Sequence, residues 1–181
     1  ARRLSSDFYE GVALGNLCIA ERGRCRYAAS EEAGKEALQA YQRVGAVVAL
    51  AHVPRSLAIT LLKRGRVSQA VSTLTSSLVQ AGEALVGPQL WFGKLVLAQA
   101  HVHSGDMLGA STEISDQFYA RGEVRESRPE LLRLEYLGDV ELEQGHAEAA
   151  LQRYDEVLPH ALALIPRGDV VAELRRRRAE C

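Results

Sequence analysis

The stretch YLGDVELEQGHAEAALQRY, residues 136–154, decides the fold. Small and apolar residues recur at helical spacing on both sides of Gly145. Glycine adopts the left-handed conformation without a steric penalty, so Gly145 is suited to end one helix and to turn the chain into the next. The stretch therefore predicts a helix, a tight turn and a second helix.

The same pattern recurs along the chain at a period of forty residues. Five columns align at that period, and each keeps one chemical type. The columns are Leu57, Leu97 and Leu137; Ala58, Ala98 and Gly138; Gly65, Gly105 and Gly145; Ala70, Ala110 and Ala150; and Leu74, Ile114 and Tyr154. Such agreement is the mark of an internal repeat. The alanines suit helices that approach closely, and the large apolar residues fill the flanking gaps.

A weaker copy of the repeat lies upstream. Leu14-Gly15 matches Leu57-Ala58, and Gly23 matches Gly65. On this alignment the first copy has one extra residue before its turn glycine. We interpret Cys18 and Cys25 as small apolar filler residues of this copy.

We expect an all-α fold of about nine helices, because no alternating strand pattern or hairpin signal occurs. The helices are predicted at about 7–22, 25–44, 47–64, 67–85, 88–104, 107–122, 128–144, 147–164 and from 169 to the end. They group into repeats at about 7–44, 46–85, 88–125 and 128–165, with a terminal helix at 169–181. Pro54 and Pro159 fall inside predicted helices, where we expect kinks or late starts.

The segment Tyr136-Leu137-Gly138-Asp139, followed by Gly145, Ala150 and Tyr154, resembles the tetratricopeptide repeat. The resemblance implies one repeat domain over residues 1–181, a right-handed superhelical stack of helix-turn-helix units. The period of about forty is longer than the usual thirty-four of that family. Long repeats of this kind look like the sensor regions of bacterial transcription regulators, and the ending 165–178 is similar to some enhancer-binding activators.

The resemblance also implies a concave groove that is lined by the first helix of each repeat and binds peptides. The groove positions follow the small column at spacings of three and four. The candidate binding residues are Tyr9, Asn16, His52, Arg55, Phe92, Gln99, Glu135 and Asp139. Apolar groove positions accompany them at Val12, Ile19, Ile59, Leu62, Leu95, Val102, Leu132 and Leu142. The groove lacks the Lys/Asn/Arg set with which some members hold a C-terminal carboxylate.

Composition and charge exclude several function classes. A net charge of -1 leaves no electrostatic footprint for nucleic acid or an anionic membrane. No stretch approaches the roughly 20 apolar residues of a membrane span. The three cysteines form no CxxC pair and do not suggest a secreted disulfide framework. We therefore expect part of a longer cytoplasmic protein that contacts neither nucleic acid nor membrane.

No catalytic or cofactor-binding constellation is recognisable. Residues 87–95 have glycine spacing unsuited to a phosphate loop, and Leu95 stands where Ser or Thr must bind magnesium. His101 and His103 diverge on a helix, so they do not form a metal pair. We expect no enzyme activity, no metal and no cofactor.

Two charged features are interpreted as structural. Glu31 and Lys35 are spaced for an ion pair on a helix surface. The run Arg175 to Arg178 is interpreted as a solvated terminal helix, with contact to another domain as the alternative.

The sequence favours a non-catalytic helical scaffold that binds a protein or peptide segment, or senses a signal, within a bacterial transcription or signal-transduction regulator. The segment it binds could belong to another domain of the same protein. Two alternatives stay open. One is a small-molecule sensor domain, and the other is a self-association module that forms a homo-oligomer.

Overall fold

The computed structural model describes residues 2–46, 49–82, 88–114, 128–164 and 166–181. Within these ranges the chain is all helical and contains no strand, which confirms the predicted fold class. The nine helices are α1 Arg2–Gly23, α2 Tyr27–Val44, α3 Ala49–Lys63, α4 Val67–Ala81, α5 Pro88–Ser104, α6 Met107–Ile114, α7 Arg128–Glu143, α8 Ala147–Leu164 and α9 Asp169–Glu180. The superhelical arrangement of the repeats stays a prediction.

Most helix boundaries agree with the sequence within two residues. α1 begins at Arg2 instead of residue 7. α3 begins before Pro54 and continues through it, so a late start at this proline is wrong. α8 likewise continues through Pro159. The ends of two predicted helices, at residues 83–85 and 115–122, lie outside the described residues.

The turns inside the four repeats share one geometry at a strict period of forty residues. Gly65, Gly105 and Gly145 have φ values of 70°, 78° and 83°, as glycine permits. In the first repeat the left-handed position is Cys25, with a φ of 59°. The predicted turn residue Gly23 is instead the last residue of α1, and no extra residue precedes the turn. The sequence alignment of the first copy was therefore wrong.

The hydrogen bonds across these turns support the corrected register. The amide of Arg26 donates to the carbonyl of Glu21 at 2.9 Å, and that of Arg66 donates to the carbonyl of Leu61 at 2.9 Å. Leu17-Cys18, not Leu14-Gly15, thus corresponds to Leu57-Ala58. Cys18 is fully buried like Ala58, as a filler should be, whereas Cys25 is exposed.

The corrected register shows that two positions compensate each other in size. In the fourth repeat, a Cβ on Gly138 would lie only 2.4 Å from Cε1 of Tyr154, so the glycine makes room for a large ring. In the first repeat the sizes are reversed, because Cys18 replaces the small residue and Gly34 replaces the large one. A Cβ on Gly34 would lie 3.2 Å from Sγ of Cys18. Helix pairs of the same kind are thus closely packed in both repeats, although the residues at the contact differ.

Two compact units, Ala1–Ala100 and His101–Cys181, divide the chain. In the first unit, α3, α4 and α5 share an apolar core that includes Leu57, Leu74 and Val96. A smaller core joins Ala37, Tyr41 and Val53 on α2 and α3. In the second unit, α9 packs against α7 and α8.

Candidate protein-binding surface

One side of α1 carries apolar and aromatic residues that are at least one third exposed. Tyr9, Val12, Asn16 and Ile19 are spaced at three and four residues, so they share one side of the helix. Tyr9 is 69% exposed, Val12 37% and Ile19 39%, and Asn16 is also exposed. Phe8 adjoins them at 42% exposure. These five residues are called the α1 stripe.

The α1 stripe is held in place by the packing of the opposite side of the helix. A Cβ on Gly11 would lie 2.9 Å from the Tyr41 ring, so the glycine brings α1 close to α2. Cys18 is fully buried on the same side. Phe8 makes edge-to-face contacts with Tyr9 and Tyr41, with ring centroids 5.9 and 5.7 Å apart. The aromatic end of the stripe therefore stands on a packed support.

Three groove candidates of the second and third repeats lie together in the first unit. The guanidinium carbon of Arg55 is 4.5 Å from the centroid of the Phe92 ring, which is a cation–π contact. Partial burial lowers the pKa of His52, and the charge of Arg55 lowers it further. Both effects favour the neutral form of His52, and Arg55 supplies the positive charge of this patch.

The remaining groove position of α5 is less accessible. Gln99 is half-buried, and the apolar positions on either side of it, Leu95 and Val102, belong to the core at 1% and 7% exposure. The predicted groove side of α5 therefore lies mostly in the core and exposes little surface to a partner.

In the fourth repeat, both acidic groove candidates are buried. Glu135 and Asp139 are each 3% exposed. Asp139 accepts a hydrogen bond of 2.8 Å from the Tyr154 hydroxyl, and its Oδ1 lies 3.1 Å from Nε of Arg177 on α9. Burial raises the pKa of Asp139 to about 6, and the charge of Arg177 and the Tyr154 hydrogen bond offset burial only in part. Asp139 thus serves an internal contact that the sequence did not indicate.

The arginine run is only partly solvated. Arg175, Arg176 and Arg178 are exposed, but Arg177 is 9% exposed. Its guanidinium also lies 3.1 Å from Glu180. The alternation follows from helical geometry, since one residue of four consecutive positions faces the packed side.

The predicted surface ion pair of Glu31 and Lys35 is present, but Glu31 is buried at 3% exposure. Arg64 and Arg66, which flank the turn of the second repeat, also bind its carboxylate, at 2.5 and 2.9 Å. Burial raises the pKa of Glu31, but Lys35, Arg66 and Arg64 outweigh it, so the pKa lies below its ordinary value. This cluster connects two repeats and is not a binding site.

A groove of about 350 Å³ that the sequence analysis missed lies on the α1–α2 pair. Its floor is apolar, with Leu14 and Leu17 from α1 and Ala29 and Ala33 from α2. Its charged residues are Glu21, Arg26, Glu32 and Glu36. No sequence signal indicated it, because the forty-residue register places Leu17 in a column where Leu57 and Leu97 are buried, whereas Leu17 is 45% exposed.

The described ranges contain no group of three metal-ligand side chains close enough to hold an ion. His101 instead pairs with Asp106, with Nδ1 and Oδ2 2.8 Å apart, and His103 is exposed. None of the described helices combines the length and the apolar character that crossing a bilayer requires.

Comparison with known proteins does not assign the chain to a family. No protein-family model matches it, and no curated protein matches it. Its function is therefore argued from the surfaces of the chain itself.

Proposed function

We propose that this chain is a non-catalytic helical scaffold that binds a protein segment through the α1 stripe. The observation that carries the proposal is the row of exposed Phe8, Tyr9, Val12 and Ile19 on one packed helix. Contiguous exposed apolar residues on a folded domain mark interaction sites. A partner that covered them would gain the free energy of removing apolar surface from water.

The composition of the stripe suits a protein partner. Aromatic rings bury a large area at a small entropic cost, and Tyr is enriched among the residues that dominate binding energy. Asn16 adds a donor and an acceptor in the middle of the apolar row. An α-helix or extended segment could place apolar side chains against Tyr9 and Ile19 and a polar group against Asn16.

A second contact patch in the same unit is formed by His52, Arg55 and Phe92. The exposed part of the Arg55–Phe92 pair offers a positive charge beside an aromatic ring. An acidic or aromatic side chain of the bound segment is suited to this patch.

The larger role follows from the resemblance to tetratricopeptide repeats. That resemblance supports a role within a bacterial transcription or signal-transduction regulator, in which the scaffold senses a signal or holds another domain. A cytoplasmic location is part of the same proposal, and the three free cysteines support it.

Site-specific photo-cross-linking tests the proposed surface. Benzoylphenylalanine would replace Tyr9 in the full-length protein, and the same group at Val79 of α4 would serve as the control. Val79 is 75% exposed and belongs to the same unit. We expect position 9 to yield a discrete cross-linked protein that position 79 does not yield.

Two results would contradict the proposal. Equal cross-linking from both positions would show that the α1 stripe has no preferred partner. Cross-linking from position 9 only to a second copy of the chain would assign the surface to self-association.

A further inference from the structure

We infer that the α1–α2 groove is a second docking site, separate from the α1 stripe, for an amphipathic helix that carries Lys or Arg beside its apolar side. Leu14, Leu17 and Glu21 follow at spacings of three and four on α1. By the same spacing rule Val12 and Asn16 lie on a different side of that helix. The two surfaces can therefore be tested independently.

The shape of the groove fits a helix better than a small molecule. Small-molecule sites typically enclose most of the ligand. Here Leu17, Ala29, Glu32 and Glu36 are all exposed, so the groove is an open trough between two helices. An apolar floor between two helices is the setting in which an amphipathic helix binds by its apolar face.

The charges of the groove select a basic partner. Glu32 and Glu36 lie one turn apart on α2 and have no cationic partner among the described residues. Arg26 is already paired with Glu21, with Nε and Oε2 3.3 Å apart. Arg24 also pairs with Glu21, at 3.3 Å, so the carboxylates of Glu32 and Glu36 supply the negative charge of the groove.

The negative charge of Glu32 and Glu36 is not neutralised in the way that the charge of a neighbouring carboxylate is. Glu31, beside Glu32 in the sequence, has Lys35, Arg64 and Arg66 as partners. Like charges one turn apart destabilise a helix, and a bound cation would relieve the repulsion between Glu32 and Glu36. Lys or Arg side chains that flank the apolar side of a bound helix would supply that cation.

A designed peptide tests this site. The probe is an 18-residue peptide of Leu and Lys with the leucines at helical spacing, and its scrambled isomer is the peptide control. Binding to the full chain is measured by fluorescence anisotropy at low and high ionic strength. We expect the amphipathic peptide to bind more tightly than its isomer, and to weaken as salt rises.

Protein variants locate the bound peptide. The double variant Glu32→Lys/Glu36→Lys should weaken binding about tenfold, and Leu17→Ser about fivefold. The matched control Glu148→Lys/Glu156→Lys makes the same charge change at exposed positions of α8 and should change binding less than about twofold. An otherwise identical peptide with Glu in place of Lys should prefer the Glu32→Lys/Glu36→Lys variant. Thermal unfolding of each variant verifies that it is folded.

Four results would overturn the inference. The control variant could lose as much affinity as the groove variant, or the scrambled peptide could bind equally well. Tyr9→Ala/Ile19→Ala could abolish peptide binding, which would move the peptide to the α1 stripe. Light scattering could show a dimer that Glu32→Lys/Glu36→Lys dissociates, which would make a second copy the occupant. Failure of cross-linking at position 9 affects the proposed function alone.

Discussion

The first and the fourth repeats use the same helical hairpin for opposite purposes. In the first, the side of α1 that carries Val12 and Ile19 is open, and these residues are 37% and 39% exposed. In the fourth, the equivalent side of α7 is occupied from within, because Arg177 of α9 pairs with Asp139. A repeat column therefore predicts where a residue lies on its helix, whereas its availability to a partner depends on what packs above it.

The interiors of these two repeats differ in the sizes of the residues that meet between their helices. Gly138 and Tyr154 in the fourth repeat correspond to Cys18 and Gly34 in the first. One pair combines no side chain with a large ring, and the other places a small side chain beside a glycine. The space left at Gly34 is also filled by Leu57 of α3, whose Cδ1 would lie 3.2 Å from an added Cβ. The first-repeat pair has the smaller total volume, and a side chain of the next helix fills the difference, so the interior stays closely packed.

The largest effect is expected from the ion pair that occupies the groove side of α7. Arg177→Ala leaves the Asp139 carboxylate buried without its cation, which should lower the free energy of unfolding of the second unit by about 3 kcal/mol. Hydrogen exchange of the α9 amides should accelerate more than that of α8. Arg176→Ala is the matched control, because Arg176 is exposed and its ion pairs among the described residues are with Glu173 and Glu180 of its own helix. Arg176→Ala should lower the free energy of unfolding by about 0.5 kcal/mol or less. Equal losses in both variants would contradict the internal role of Arg177.

The buried carboxylates of Asp139 and Glu31 should give opposite dependences of stability on pH. The pKa of Asp139 is raised to about 6 in the folded state, so its contribution is complete below about 3.8 and is lost as pH rises through 6. The pKa of Glu31 is lowered, so its contribution is present above about 4.5 and is lost as pH falls through the lowered value.

Denaturant titrations between pH 4 and 7 measure this difference. Relative to wild type, Asp139→Asn should remove a decline of about 2 kcal/mol with rising pH. Glu31→Gln should remove a gain in stability over the lowest part of the range. The same change of slope in both variants would show that the two sites are electrostatically alike and would contradict the comparison.

Substitutions at Gly138 and Tyr154 test whether these two residues compensate each other in size. Gly138→Ala places a Cβ against the buried Tyr154 ring and should destabilise the second unit by about 1 to 2 kcal/mol, after the helix-forming gain of alanine. In a Tyr154→Leu background, which copies the Ala58 and Leu74 pair of the second repeat, the same alanine should cost nothing. A double-mutant cycle measures the coupling. Additive effects would contradict direct size compensation.

The smallest effect is expected at the turn of the first repeat. Cys25 holds a positive φ that non-glycine residues rarely adopt, so Cys25→Gly should stabilise the first unit by about 0.5 kcal/mol. Gly65→Ala, at the equivalent position, should destabilise it by about 1 kcal/mol. Thermal unfolding measures both, and destabilisation by Cys25→Gly would contradict the assigned register.

The sequence predicted the features that repeat. Gly65, Gly105 and Gly145 marked the turns because the backbone conformation requires glycine or a strained substitute. Cys25 was missed because it is such a substitute, and the nearby Gly23 offered a more familiar signal.

The candidate site was less predictable because its exposure depends on long-range packing. In the corrected register Asp139 corresponds to Ile19, not to Asn16. Ile19 is 39% exposed, whereas Asp139 is buried against Arg177 of α9. Arg177 stands in the column of Leu57, Leu97 and Leu137, where an apolar residue was expected. A charge in an apolar column could have suggested a buried partner, but nothing in the sequence pointed to Asp139.

The affinity of the captured partner for stripe variants tests the central claim most directly. The dissociation constant would be measured for wild type, for Tyr9→Ala/Ile19→Ala and for the control Val79→Ser/Leu108→Ser, whose residues are 75% and 81% exposed elsewhere. The account predicts that the stripe variant weakens binding by about tenfold or more and that the control stays within about twofold of wild type. Unchanged affinity in the stripe variant would contradict the assignment of α1 as the binding surface.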